Sequence, residues 1–586
     1  MATKPFLLSG SSQSSTSSHL ANAVSSSFSL FPNLKNPAFC PFTITLSPIR
    51  LPSKPYPISC RASSASPSPS PSPPPPPTSV DPDGTGAAAP TGGDLYLERQ
   101  QSMSAAALIL KKNKKEGKKK KRRNDAKLPT NVACCYGCGA PLQTTEVDAP
   151  GYVNAETYEL KKRHHQLKTI LCGRCKLLSH GHMVTAVGGH GGYSGGKQFI
   201  SAEELREKLS YLRHEKVLIV KLVDIVDFNG SFLARVRDLA GANPIILVIT
   251  KVDLLPRGTN LNCIGDWVVE ATTKKKLNVI SVHLTSSKSF VGIAGVISEI
   301  QKEKKGRDVY ILGSANVGKS AFVNALLKLM ARKDPVAAAA QKYKPMQSAV
   351  PGTTLGPIQI EAFQGGGNLF DTPGVHLHHR QAAVVHSDDL PSLAPQSRLR
   401  GQSFPQVVSI GTITDSESVG INGSSLLWGG LVRIDVIKVL PRTRLTFYGP
   451  KKLKVHMVSM GKADEFYHKE LGNTLTPPTG KERVESWLGL QAVRQLQIKF
   501  EDTNRPACDI AISGLGWIAV EPVGAAEPND PDRRVKAGEL HLAVHVPKPV
   551  EIFIRPPIPV GKAGEEWYQY QELMEKEEEL RPKWFY

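Results

Sequence analysis

A chain of 586 residues is too long for a single domain and is expected to fold into roughly two to four. Its formal charge of 73 − 52 = +21 suits a polyanionic partner, although the run Lys111–Arg123 alone supplies +9 and the first 60 residues hold four basic side chains and no acid. No apolar run approaches the roughly twenty residues of a membrane helix, which excludes a helical span. The longest run, Val217–Phe228, is interrupted by one Lys and two Asp.

No Asp or Glu occurs before Asp81, and residues 1–60 are rich in Ser, Pro and Leu. That composition predicts an organellar transit peptide, with a processing site near Cys60. Arg is scarce and no amphipathic helix is evident. This favours the chloroplast stroma over the mitochondrion, and a disordered cytosolic tail is the plainer alternative. Residues 61–130 are predicted to be a linker. They hold the proline tract Ser66–Pro77 and the Lys/Arg run, which would grip phosphates without reading sequence. An RNA-contacting arm is the functional reading of that run; a solvated charge block is the bland one.

Residues 131–195 contain two CxxC pairs, Cys135/Cys138 and Cys172/Cys175, with 33 residues between them. Each pair can place two thiolates on one tetrahedral ion, so the four predict a structural Zn2+ site. A single CxxC could be redox-active, and a disulfide is the weaker alternative in a reducing compartment. Cys134 falls outside the paired spacing. Cys40, Cys60, Cys263 and Cys508 are scattered and receive no role.

The nucleotide motifs follow. Asp308–Leu312 predicts a short strand, and Gly313-Ser314-Ala315-Asn316-Val317-Gly318-Lys319-Ser320 matches GxxxxGKS. Ala321–Met330 then continues as an amphipathic helix. Strand, loop and helix are the context the motif needs. Backbone amides would wrap the phosphates, Lys319 would reach their outer oxygens and Ser320 would bind Mg2+. Downstream, a hydroxyl of Pro351-Gly-Thr-Thr354 is suited to magnesium and the γ-phosphate, with Thr354 as the candidate. In Asp371-Thr-Pro-Gly374, Asp371 would hold Mg2+ and the Gly374 amide would sense the γ-phosphate. Upstream, Thr250-Lys251-Val-Asp253 closes the buried-strand pattern Pro244–Thr250. Asp253 can accept from guanine N1–H and its amine, which adenine cannot match. Lys251 can lie along the base. Ser286-Ser287-Lys288 follows another short strand and resembles a second base-contacting motif.

The base-reading motif therefore precedes the phosphate loop, a cyclic rotation of the usual order. On Cys134–Thr144, Lys221–Phe232, Thr250–Pro256, Gly313–Ser320, Pro351–Gln359, Asp371–Arg380, Gly429–Leu440 and Ser513–Pro522, the chain resembles the circularly permuted GTPases of the bacterial YqeH type. It is closer still to their plant nitric-oxide-associated branch. The resemblance covers roughly 130–586. It implies an α/β fold: a permuted P-loop GTPase domain over 200–380, an N-terminal four-cysteine zinc module, a connector over 381–425 and a β-rich α+β domain over 426–586. From Trp428 onward, alternating apolar patterns with Gly/Pro breaks independently predict strands, interrupted by a helix over Ala463–Leu475.

The resemblance also implies GTP as substrate. Its expected function is a slow switch in ribosome assembly, with ribosomal RNA and the small subunit as partners. Lys319, Thr354, Gly374 and Asn316 would serve the chemistry. Some relatives with Asn at the position of Asn316 use a bound K+, and that role carries over to Asn316. Val375 stands where many GTPases hold a water-orienting Gln. His376 is more simply a packing residue than a base. Thr250 departs from the usual Asn and can replace only one of its hydrogen bonds, a deficit of about 0.5–1.5 kcal/mol. Two rivals stand beside this reading. One is a non-hydrolysing GTP-binding RNA scaffold. The other is a redox enzyme making nitric oxide, which lacks any flavin, nicotinamide or haem motif here and would show itself in an absorbance spectrum. Oligomeric state is not legible.

Overall fold

A computed structural model of the chain describes residues 132–180, 201–233, 236–273, 279–348, 352–405, 420–501, 503, 505–522, 537–569, 578 and 581–586. The predicted transit peptide (1–60), the linker (61–130), residues 181–195 of the zinc module and Pro351 lie outside them.

Near-continuous aliphatic runs are the mark of parallel strands covered on both faces. Two such runs form β1 (Leu218–Asp224) and β2 (Ile245–Thr250), every residue of which is buried. The strands that follow are β3 (Val279–Leu284), β4 (Val309–Leu312), β5 (Ile358–Ile360), β6 (Leu369–Asp371), β7 (Gln402–Phe404), β8 (Ser424–Trp428) and β9 (Val432–Lys438). Beyond them lie β10 (Arg444–Tyr448), β11 (Val455–Ser459), β12 (Ala492–Phe500), β13 (Cys508–Ile512), β14 (Gly516–Glu521), β15 (Gly538–Val546), β16 (Ile552–Arg555) and β17 (Lys583–Phe585).

A seven-stranded sheet has the order β17-β3-β2-β1-β4-β6-β5 and is parallel except for β5, which runs antiparallel to β6. The permutation is visible in this order. β4, which feeds the phosphate loop, sits between β1 and β6, which carries Asp371. The helix Lys319–Met330 buries Phe322, Val323, Leu326, Leu327 and Met330 in the core on one side of this sheet. That apolar stripe recurs at helical spacing and fixes the loop at the helix N-terminus. Lys221 lies within β1, fully buried, with Nζ donating to the Leu233 carbonyl at 3.3 Å and 3.4 Å from the centre of the Phe232 ring.

Two antiparallel five-stranded sheets follow, ordered β16-β13-β14-β10-β7 and β11-β8-β9-β15-β12. Both contribute to one core that includes Trp428, Ile434, Phe447, Ile510 and Leu542. Every strand predicted beyond Trp428 is present, and Cys508–Val520 splits into the β13–β14 hairpin. β7 and β8 were not foreseen; they arise where the sequence reads as connector and loop. The helix from Ala463 ends at Glu470, short of the expected Leu475, because Gly472 adopts φ +83° and terminates it.

A second difference concerns Lys583–Phe585, expected in the C-terminal β-rich domain. As β17 it joins the nucleotide-binding sheet, parallel to β3. The Trp584 ring lies so close to Gly265 that a Cβ there would sit 2.4 Å from it, and its Nε1 donates to Asp266 at 2.7 Å. Phe585 stacks on His283 at 5.2 Å. Burial of His283 depresses its pKa to about 4. Between pH 6.5 and 4 the unfolded chain therefore binds more protons than the folded one, and stability is lost as pH falls through that window. The contribution is about 3 kcal/mol at most. The melting temperature of a His283→Gln variant should fall less than wild type between these pH values; parallel falls would remove His283 from this role.

Candidate nucleotide site

The phosphate loop folds as its motif predicts. Gly313 and Ser314 are buried, Val317 packs into the core below, and Asn316 and Gly318 take positive φ of 62° and 92°. Ala321 sits in the first turn of the following helix. Lys319 is buried and donates to the carbonyls of Gly313 (3.2 Å) and Ser314 (2.9 Å). Burial lowers its pKa to about 8, opposed by the charge of Asp371.

Three metal candidates from separate stretches meet beside it. The Ser320 hydroxyl donates to Asp371 Oδ2 at 2.9 Å and lies 3.5 Å from the Thr354 hydroxyl. Among the described residues Asp371 Oδ1 is buried without a hydrogen-bond partner, and burial raises the Asp371 pKa to about 6 against the pull of Lys319 and the Ser320 hydroxyl. A divalent cation would answer both features, because it supplies the missing partner and favours the ionised carboxylate. Two hydroxyls, a carboxylate and a neighbouring lysine fit Mg2+ and phosphate oxygens, with Mg2+ neutralising phosphate charge when bound.

The Asp371–Gly374 segment is zipped onto the loop by its backbone. The Ala315 amide donates to the Val375 carbonyl at 2.7 Å, and the Val375 amide to the Gly313 carbonyl at 3.3 Å. Gly374 lies so close that a Cβ would be 2.9 Å from Ala315 Cα and 3.0 Å from Lys319 Nζ. A side chain there would push on the backbone of the phosphate loop at Ala315 as well as on the lysine. Val375 and His376 are both buried.

At the base-reading end, Lys251 takes φ 64° and bonds two ways, to Asp224 at 2.5 Å and to the Asn316 carbonyl at 2.8 Å. The Thr250 hydroxyl lies 2.7 Å from the Val317 carbonyl and 3.2 Å from that of Val223. Its single proton thus serves the strand-to-loop tie. Asp253 is half-buried in a 3-10 turn, and the Val252 amide bonds to the Thr285 carbonyl at 3.2 Å, which brings the Ser286–Lys288 turn alongside. Ser286 is buried and its hydroxyl accepts from the Ser289 amide; Ser287 is half-buried and Lys288 exposed.

Sequence reasoning missed several residues here. Asp224 and Asp227 lie at the C-terminal end of β1, where ligands bind in open α/β sheets, and that position was the available signal. Arg380 reaches Asp227 at 2.9 Å, the Ala315 carbonyl at 2.6 Å and the Ser314 hydroxyl at 3.5 Å. The chain then leaves directly for the C-terminal sheets. The Gln381 amide donates to the Ser513 carbonyl at 2.9 Å, and the Glu551 amide to the His379 carbonyl at 3.0 Å.

The four cysteines Cys135, Cys138, Cys172 and Cys175 are fully buried and unbridged, with their sulfurs within 4.8 Å of one another. Cys138 and Cys172 sulfurs are 3.9 Å apart, near the about 3.8 Å edge of a tetrahedron with 2.3 Å Zn–S bonds. The Cys172 amide donates to Cys135 Sγ at 3.3 Å, a bond suited to a thiolate. The cluster fits Zn2+.

Comparison with known proteins agrees with this geometry. Residues 308–394 match the family model of a 50S ribosome-binding GTPase, and residues 442–530 match the YqeH-like C-terminal model. The chain is 71% identical over 510 residues to a rice protein named putative nitric oxide synthase, covering 86% of this chain and 92% of that one. It is 67% identical over 508 residues to NO-associated protein 1, chloroplastic/mitochondrial, of Arabidopsis thaliana, covering 86% and 90%. It is 31% identical over 421 residues to the uncharacterized protein YqeH of Bacillus subtilis, covering 72% and 98%. The chain belongs to the YqeH-like GTPases. A YqeH-like GTPase domain implies GTP and Mg2+ as ligands and GTP hydrolysis as activity. In this chain Lys319, Ser320, Thr354, Asp371 and the loop amides stand where both would be held.

Proposed function

We propose that the chain is an organellar GTPase switch acting in ribosome assembly, through ribosomal RNA and the small subunit, in the chloroplast stroma. One observation carries it: the γ-phosphate-sensing segment Asp371–Arg380 is bonded to the phosphate loop at one end and passes straight into hydrogen bonds with the C-terminal sheets at the other. A change in that segment therefore moves the contacts of a second domain. The Lys111–Arg123 run supplies charge for RNA phosphates. The name of the Arabidopsis relative and the acid-poor first 60 residues support a plastid or mitochondrial setting. Val375 in place of a water-orienting Gln supports slow intrinsic turnover, and the resemblance supports K+ at Asn316.

Single-turnover GTP hydrolysis, measured alone and with purified 30S or 50S subunits in K+ and in Na+ buffers, tests the reading. The expected result is stimulation on the order of tenfold or more by the 30S subunit, in K+ only. Equal rates in K+ and Na+ would dispose of the potassium role. Stimulation by 50S alone would transfer the partner to the large subunit, and no stimulation by either would end the ribosomal reading.

A further inference from the structure

Zinc modules beside GTPase domains are readily taken as separate docking units. Here the module is built onto the threonine switch. The carbonyl of Cys138 accepts the amides of Leu355 (2.7 Å) and Gly356 (3.2 Å), the two residues after Thr354. Arg174, between the second pair of cysteines, donates to the carbonyls of Gly352 (2.9 Å) and Thr353 (3.3 Å), the two residues before it. Thr354 is thus bracketed by four hydrogen bonds from the cysteine loops. The backbones meet without side chains between them. A Cβ on Gly139 would lie 2.2 Å from the Gly356 carbonyl oxygen, and one on Gly356 would lie 2.3 Å from that of Gly139. Gly139 holds φ +73°, so it is required twice over, by conformation and by contact.

The flanks are tied as well. The Met346 amide donates to the Gly137 carbonyl at 2.9 Å, and the Met346 side chain and Leu355 pack against the four-cysteine cluster. Beyond the switch, Lys168 pairs with Glu361 at 2.8 Å, an exposed contact that adds little.

We infer that the four-cysteine module is the clamp of the GTPase switch: Arg174 and the Cys138 carbonyl are positioning elements that hold Thr354 beside Ser320, so zinc occupancy and the γ-phosphate state are coupled. Arg174 and Cys138 act through the backbone of 352–356 and touch no reacting atom. The coupling is physical and reciprocal. Loss of zinc frees the loops that carry Cys138 and Arg174, and a γ-phosphate that fixes Thr354 tightens those loops around zinc. The inference rests on the switch reading above only for its nucleotide half.

Two measurements on the full chain separate these halves. Amide exchange without nucleotide reads the clamp. In an Arg174→Ala variant with full zinc content, peptides covering 352–356 should exchange at least roughly tenfold faster than wild type, because two charge-assisted hydrogen bonds are lost. Arg174→Lys should recover part of the protection. Wild-type exchange rates in the alanine variant would overturn the clamp. Zinc release to a chromogenic chelator reads the coupling on wild-type protein. Release should be several-fold slower with a non-hydrolysable GTP analogue and Mg2+ than with GDP, and equal rates would overturn it. The alanine variant should also lose affinity for the analogue while keeping that for GDP, a split that a purely structural residue would not produce. If the analogue fails to bind wild-type protein, the switch reading falls with the coupling, while the exchange experiment still decides the clamp.

Discussion

Replacing Lys319 with alanine should lower GTP turnover by roughly a hundredfold or more while leaving the melting temperature near wild type. The side chain is buried and its ammonium is spent on the carbonyls of Gly313 and Ser314. These are bonds it can exchange for phosphate oxygens. Its removal takes the main positive neighbour from Asp371, whose carboxyl already sits near 6. That proton would be held more tightly still, so affinity for Mg2+ should drop together with turnover. The fold loses little, because a buried lysine carries a desolvation cost that alanine lacks. Turnover assays at saturating Mg2+, with a thermal melt on the same sample, check both halves. Wild-type turnover would remove the phosphate loop from the chemistry.

Arg380→Ala should be the most destabilising single change near the site, by roughly 3–5 kcal/mol in urea unfolding. Arg380 and Asp227 pair at 2.9 Å with both side chains at most 10% exposed. Alanine would leave the Asp227 carboxylate buried beside Asp224 with its main counter-charge gone. Burial already raises the Asp227 pKa, and Arg380 is the chief group opposing it. The double change Arg380→Met with Asp227→Leu removes both charges and should recover much of the loss. A double variant no more stable than Arg380→Ala would show that the arginine works mainly through its bond to the Ala315 carbonyl. Either way, Gln381 and its bond to Ser513 lose their anchor, so protease sensitivity between the GTPase and C-terminal sheets should rise.

The chemistry was legible in the sequence wherever a residue type is tied to a ligand by local spacing. GxxxxGKS, the DTPG turn, the two CxxC pairs and the apolar runs of β1 and β2 are each short local patterns that can be read without knowing what packs against them. What escaped depends on partners far away in sequence. Arg380 looks like one more basic residue after three histidines until Asp227 and the Ala315 carbonyl are placed beside it. Arg174 reads as a spacer between zinc ligands, because its targets are backbone carbonyls, and any sequence supplies those. The Thr250 hydroxyl is bonded to the Val317 carbonyl, a backbone target that its residue type does not reveal. β17 has three residues and no period. Its place is decided by the absence of a side chain at Gly265.

β17 also bears on how the molecule is made. Its partner strand, β3, lies about three hundred residues earlier, with Trp584 opposite Val282. Synthesis delivers the phosphate loop, the segments carrying Thr354 and Asp371 and the C-terminal sheets before residues 583–585 exist. Throughout that interval β3 keeps one row of backbone groups unpaired, and an open strand edge is a template for the wrong neighbour. The ring that closes it, Trp584, is translated about three hundred residues after the strand it covers. Completion of the nucleotide-binding sheet is therefore a late, long-range event, slow by the entropy of its loop and vulnerable to premature arrest. A ribosome stalled just short of that point would carry a chain with every nucleotide motif and an unfinished edge.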